Sequence, residues 1–355
     1  MVIGERIKMA RHAAGFSLRA LAEKADISHT AISKYEKEDD VPSSDVLIRL
    51  AKALGVKVEY FFRPTKVVLQ VAPSYRRRTR LPVKQQRAIL GEVQDWLERY
   101  VAVESYFAEK SAFDLPDDFP ARITSQEQVE SVAERLRKHW DLGHDSIENL
   151  IEVLEDRGVK VGLVKGHDAF DALTFWIGDG IPVIAVKGDL PGDRQRFNLA
   201  HELGHIILDP VEGLNAEKAA NRFAGAFLVP QEAARFELGQ QRQTLDVFGL
   251  HLLKHKYGLS MQGWIFRAKD LGIITESAFV RHNKEFRQRG WHINEPGDPI
   301  EPEKAPSRME RLIMRALVEN AISSSRAAEL LGRPLDEFFK KVSKEHGGLP
   351  VGVRS

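Results

Sequence analysis

The chain has 355 residues, more than one typical hydrophobic core accommodates, so two or three domains are expected. Apolar residues make up 43% and charged residues 29%, an ordinary globular balance, and a net charge of +1 leaves any nucleic-acid affinity to a local patch. The absence of cysteine excludes disulfides and thiolate sites, so a metal would have to be held by His, Asp or Glu. There is no apolar run of membrane-spanning length, and "MVIGERIKMARHAAG" lacks the apolar core of a signal peptide, so a cytoplasmic protein with no membrane partner is expected.

Residues 5–62 read as short helices in one small unit. "ERIKMARHAA" carries Ile7, Met9, Ala10 and Ala13 and stops at Gly15. "SLRALAEKAD" offers Ser17 as a cap and a helical stripe of Leu18, Leu21, Ala22 and Ala25. Ser28 can cap a third helix, "HTAISKYEKE"; after Pro42, "SSDVLIRLAKALGV" restores the stripe. Between Pro64 and Gly91 seven basic residues (Lys66, Arg76, Arg77, Arg78, Arg80, Lys84, Arg87) stand with no acidic one, as a solvated linker or an added phosphate-contacting patch. A longer helix is expected from Lys84 to Phe107, with Ile89, Val93, Trp96, Leu97 and Tyr100 on one side. From about Ser125 the pattern is mixed: two helices, then the β-like runs "VKVGLVK", "ALTFWI" and "PVIAVK", then "NLAHELGHIIL" and "AEKAANRFAGAFLVP" as successive helices. Residues 231–275 read as mostly helical, "WHINEPGDPIEPEKAPS" as a Pro-rich loop, and the remainder as terminal helices.

Two helices joined by a tight turn, the second presenting short polar side chains, meet the needs of a major-groove reader. In "SLRALAEKADISHTAISKYE", Ala22 allows close packing and Ile27 and Ile32 plug the core, while Ser28, His29, Thr30, Ser33 and Lys34 are the residues assigned to double-stranded DNA. This region resembles the Xre/Cro-type repressor family over about sixty residues, including the closing "LIRLAKALGVKVEYFF". The family's DNA-contacting glutamine after the first serine is here Leu18, so that hydrogen bond is lost.

In "HELGH", His201 and His205 lie four residues apart and so on one side of a helix, one turn apart, where both imidazoles can reach one Zn2+ ion. Glu202 is then placed as general base toward a water that the metal acidifies. A third ligand is needed; Glu217, opening the next helix, is preferred to Glu212 in the loop before it. "RQRFNLAHELGHIIL" followed by "EKAANRFAGAFLVP" resembles the ImmA/IrrE family of metallopeptidases, with Arg196-Phe197, His201, Glu202, His205, Glu217, Asn221, Phe223, Ala224 and Pro230 matching over roughly residues 140–272. The resemblance implies His201, His205 and Glu217 as zinc ligands and Glu202 as catalytic residue. His251, His255, His282 and His292 are given no role.

The fold class expected is α+β, mainly helical. Residues 1–65 form an all-α helix-turn-helix domain, 66–124 a basic linker and connecting helix, 125–285 a zincin-like α/β metallopeptidase domain with a small sheet, and 286–355 a Pro-rich loop and helical C-terminal region. Readings open for that last region are a lid, a dimer interface, a partner-binding arm or a second DNA-binding element. Two functions follow. One is a homodimeric operator-binding regulator whose zinc endopeptidase domain cleaves a regulatory protein such as an Xre-type repressor. The other is an antitoxin-type autoregulatory repressor whose peptidase-like domain is a scaffold for a toxin partner, with little or no proteolysis.

Overall fold

A computed structural model describes residues 3–63, 69–71, 82–108, 112–164, 170–178 and 180–345. Lys66, Arg76, Arg77, Arg78 and Arg80 of the basic stretch lie outside the described residues. The mainly helical α+β class expected from the sequence is the class observed.

The chain starts with α1 (Ile3–Ala13), α2 (Leu18–Ala25), α3 (His29–Lys37) and α4 (Ser44–Leu54), followed by a 3-10 turn, Val58–Phe62. Ser17, Ser28 and Ser43 stand before α2, α3 and α4, and each hydroxyl accepts a backbone N–H three residues on, from Ala20, Ala31 and Val46. These caps satisfy donors that the first turn of a helix leaves without an intrahelical partner. α2 ends on Asp26 in the left-handed region (φ 51°), which turns the chain sharply enough for α3 to begin at His29. The core is closed by Ile7, Leu21, Ile32 and Leu50, all fully buried.

Next come β1 (Leu69–Val71), α5 (Val83–Glu104), β2 (Ala121–Ile123), α6 (Gln128–His139) and α7 (Leu150–Asp156). The three β-like runs are β3 (Lys160–Val164), β4 (Ala172–Ile177) and β5 (Ile181–Lys187). The sheet order is β1-β4-β5-β3, with β3 parallel and β4 antiparallel to β5. β5 lies between neighbours on both sides, which explains its near-continuous apolar sequence "IPVIAV". Helix α8 (Gly192–Ile207) runs into β6 (Leu208–Pro210), which pairs in parallel with β2, a short ribbon that the sequence pattern did not announce.

Then follow α9 (Ala216–Leu228), α10 (Gln231–Leu238), α11 (Val247–Tyr257), α12 (Met261–Asp270) and α13 (Glu276–Gln288). Leu199, Leu203, Phe223, Phe227, Trp140 and Trp264 form the centre of this core. α8 and α9 pack tightly because Gly204 has no side chain: a Cβ there would stand 3.1 Å from Phe223 Cδ1 and 3.2 Å from Ala220 Cα. Gly204 therefore serves the helix contact.

The chain ends in α14 (Arg308–Val318), α15 (Ser324–Leu330) and α16 (Leu335–Glu345). By compactness the described residues fall into two units that do not follow the linear segments. Those within 1–70, 76–110 and 307–355 form one; those within 71–75 and 111–306 form the other. Met309, Ile313, Ala316 and Leu317 of α14 share a core with Tyr100 and Val103 of α5, which brings the C-terminal helices into the helix-turn-helix unit. Arg63 adds ion pairs to Asp95 (3.3 Å) and Glu329 (2.9 Å) within that unit. The long α5 is thus a structural member of the unit, with its apolar side occupied, where the sequence reading has a connecting helix.

Candidate functional site

On α3, Ser28, His29, Thr30 and Lys34 are exposed and Ser33 is half-buried, while Ile32 points into the core. The Ser28 hydroxyl is committed to capping, since it accepts Ala31 N–H at 3.1 Å. Leu18 is half-buried and packs on the core, so the place of the family's glutamine is taken by an apolar contact. The exposed face of α3 is polar, with short side chains at its start and two lysines, Lys34 and Lys37, further on, the character of a groove-reading surface. Lys34→Ala protein is expected to bind DNA more weakly and to lower the slope of log affinity against log salt by about 1. Titrations at several salt concentrations measure this, and an unchanged slope removes Lys34 from the phosphate-contacting set.

The second site is built on α8 and α9. One turn apart on α8, the His201 and His205 rings meet edge to face, with their Nε2 atoms 3.0 Å apart. Glu217, in the first turn of α9, places Oε1 3.4 Å from His205 Nε2 and Oε2 3.6 Å from His201 Nε2. One ligand atom from each of the three residues lies within 4.8 Å of the others. Two nitrogens bound at tetrahedral zinc distances stand about 3.3 Å apart, so the donor set fits a zinc-sized ion. The rings are mostly buried, with 16% and 14% side-chain exposure, and the Glu217 side chain is 45% exposed, so the group is open on the glutamate side. Glu212 is exposed in the preceding loop and outside the group.

Two neighbours were not singled out by sequence reasoning. Asn221 Oδ1 lies 2.9 Å from His201 Nδ1, one turn beyond Glu217 on α9. A carbonyl oxygen there accepts from Nδ1–H and leaves the Nε2 lone pair toward His205 and Glu217. Thr174, buried on β4, donates from Oγ1 to Glu202 Oε2 at 2.7 Å and so fixes the carboxylate beside the histidines. The available signal for Thr174 was a single hydroxyl within the apolar run "ALTFWI". Asn221 matched the family pattern without any role attached.

Arg194, Arg196 and His282 are engaged outside this group. Arg194 pairs with Asp171, and Arg196 with Glu303 and with the Ile147 carbonyl. His282 is buried and its Nε2 accepts Leu245 N–H at 3.2 Å; burial holds its pKa below the usual histidine value. Among the described residues no helix is long and apolar enough to cross a membrane.

A capped helix-turn-helix and a histidine-glutamate group on paired helices beside a small sheet define a DNA-binding regulator joined to a metallopeptidase-type domain. The helix-turn-helix family model matches residues 7–61, and the peptidase-family model described as the IrrE N-terminal-like domain matches residues 155–269. The chain is 33% identical over 67 residues to the HTH-type transcriptional regulator ImmR of Bacillus subtilis, covering 19% of this chain and 53% of that protein. An uncharacterized HTH-type transcriptional regulator of Rickettsia conorii is 32% identical over 85 residues, 24% of this chain and 68% of its own length. Another from Mycobacterium tuberculosis is 40% identical over 59 residues, 17% of this chain and 42% of its own length. The chain belongs to the Xre-type HTH transcriptional regulators and carries an IrrE/ImmA-like domain. It spans about half the length of ImmR.

Proposed function

We propose that this regulator binds an operator as a homodimer and that its IrrE-like domain is a zinc-dependent endopeptidase acting on a regulatory protein such as an Xre-type repressor. The observation that carries the reading is the convergence of His201, His205 and Glu217, with Glu202 held alongside by Thr174. His201, His205 and Glu217 would hold Zn2+, which supplies a Lewis acid for the scissile carbonyl and lowers the pKa of water. Asn221 keeps His201 in the tautomer whose Nε2 is a donor to metal. The Glu202 carboxylate takes a proton from the attacking water as its oxygen joins the carbonyl carbon, and then delivers that proton to the amide nitrogen, which leaves as the C–N bond breaks. Thr174 orients that carboxylate and restrains its rotation, which favours proton transfer along one direction. β4 thus contributes to the site from the sheet side and α8 from the helix side.

The test is to incubate the zinc-loaded full chain with purified Xre-type repressors encoded near its gene and to identify fragments by mass spectrometry. One defined cut, absent with Glu202→Gln protein, supports the reading. Intact repressors throughout, together with retained operator binding, would leave the domain as a partner-binding scaffold.

A further inference from the structure

The face of α8 that carries the histidines continues, toward the helix N-terminus, into a cleft of about 640 Å3. Phe197 is the shared wall: it lines the cleft, and its ring centroid is 6.4 Å from that of His201. Asp193 and Arg194 line the cleft one turn further back, and Trp291 and the loop to Pro299 form the opposite side. A substrate chain with its scissile bond at the histidines would therefore send a flanking side chain into this space.

The charge of the cleft decides what that side chain is. Lys254 and Asp193 are 4% and 6% exposed. Lys254 Nζ stands 3.3 Å from Asp193 Oδ2 and 3.1 Å from Glu295 Oε2. Two carboxylates against one ammonium leave a net charge of −1 in the floor. Both carboxylates accept further hydrogen bonds: Glu295 from Met261 N–H at 3.0 Å and Gln262 N–H at 2.8 Å, and Asp193 from Arg194 N–H at 3.0 Å. The Arg194 guanidinium, at the rim, is cancelled by Asp171 through contacts of 2.9 and 2.8 Å. Asp298, between two lining residues, adds an exposed negative charge. Low-dielectric aromatic walls concentrate such a field, and aromatic faces themselves favour cations. The triad alone accounts for how the loop is held down. It does not fill the cleft, and its two carboxylates outnumber its one ammonium.

We infer that this cleft is a specificity subsite that takes an arginine or lysine side chain flanking the scissile peptide bond. An acidic side chain meets the net negative floor, and an apolar one leaves that charge uncompensated. The inference rests on the proteolytic reading above for its substrate, but binding in the cleft can be read without turnover. Full-length Glu202→Gln protein with 15N-labelled indoles is titrated with N-acetyl-arginine amide, N-acetyl-norleucine amide and N-acetyl-glutamate amide. The Trp291 indole signal, assigned by its loss in Trp291→Phe, is expected to move with the arginine probe at an affinity about tenfold or more tighter than with norleucine, and not with glutamate. Asp193→Asn or Glu295→Gln should remove most of that preference. A Trp291 signal indifferent to arginine, or equally responsive to norleucine, overturns the inference in the unmodified cleft, whatever the folding of the variants. Arginine binding in a protein that cleaves nothing upholds the cleft's cation preference and sinks the proteolytic reading alone; cleavage indifferent to basic residues sinks this inference alone.

Discussion

His201→Ala protein is expected to carry about a tenth or less of the zinc that Glu202→Gln protein carries after the same purification and dialysis. The two residues are adjacent on α8, so a loss of helix α8 would strip metal from both; only a division of roles separates them. His201 Nε2 is one of three ligand atoms within 4.8 Å of one another, and its removal leaves a two-ligand remnant, short of the three protein ligands an open catalytic zinc site needs. Glu202 is outside that group and hydrogen-bonded to Thr174 at 2.7 Å, so its neutral amide isostere leaves the ligands in place. Activity should divide the other way: Glu202→Gln loses about 10²–10⁴-fold of any peptide cleavage while keeping zinc. Asn221→Ala lies between them, with metal affinity down by about 10–100-fold, because His201 loses the acceptor that fixes its tautomer. Elemental analysis and competition with a chromogenic chelator measure all three proteins. Equal zinc in His201→Ala and Glu202→Gln would show that the histidines do not hold the ion.

How far the sequence carried the reading depends on whether a feature is local. The caps at Ser17 and Ser28, the stop at Gly15, and the pairing of His201 with His205 follow from helical spacing, and each has its place in the structure. Spacing cannot say which strand faces a helix, so Thr174 stayed hidden inside an apolar strand although it touches Glu202. Periodicity also treats a charge as solvent-facing, which hid Arg6: it sits among Ile7 and Ala10 in a helix whose polar residues read as exposed, yet it is 1% exposed. The same blindness to distant partners separated residues 1–65 from α5 and from the C-terminal helices. Chain order gives a basic linker with a connecting helix at 66–124 and a separate helical C-terminal region at 286–355. The apolar sides of α5 and α14 are complementary over a sequence separation of some two hundred residues, and no window of helical length spans that distance.

Glu98→Ala is expected to destabilise the helix-turn-helix unit by about 3–5 kcal/mol, although Glu98 lies more than thirty residues beyond that motif. Arg6 Nη1 pairs with the Glu98 carboxylate, with side-chain exposures of 1% and 6%. Gln94 Nε2 donates to the other Glu98 oxygen at 2.9 Å, and Arg6 Nε donates to the Arg63 carbonyl at 2.9 Å. The Arg6 guanidinium also lies 5.4 Å from the centre of the Tyr60 ring, whose phenol burial pushes up to about 12, so that group stays neutral. Truncating Glu98 therefore buries a guanidinium without this carboxylate, and the desolvation already incurred goes uncompensated. The paired change Arg6→Met with Glu98→Leu should recover most of the loss, since an apolar pair of similar volume needs no charge compensation. Trp96 on α5 belongs to the same unit, and the other four of the five tryptophans belong to the other, so urea unfolding followed at the Trp96 indole isolates the effect. DNA binding should fall in step with the fraction of this unit unfolded, while zinc content of the IrrE-like domain is unchanged. If Glu98→Ala leaves both the Trp96 transition and operator affinity where they were, the helix-turn-helix folds without α5, and residues 1–65 stand as a domain of their own.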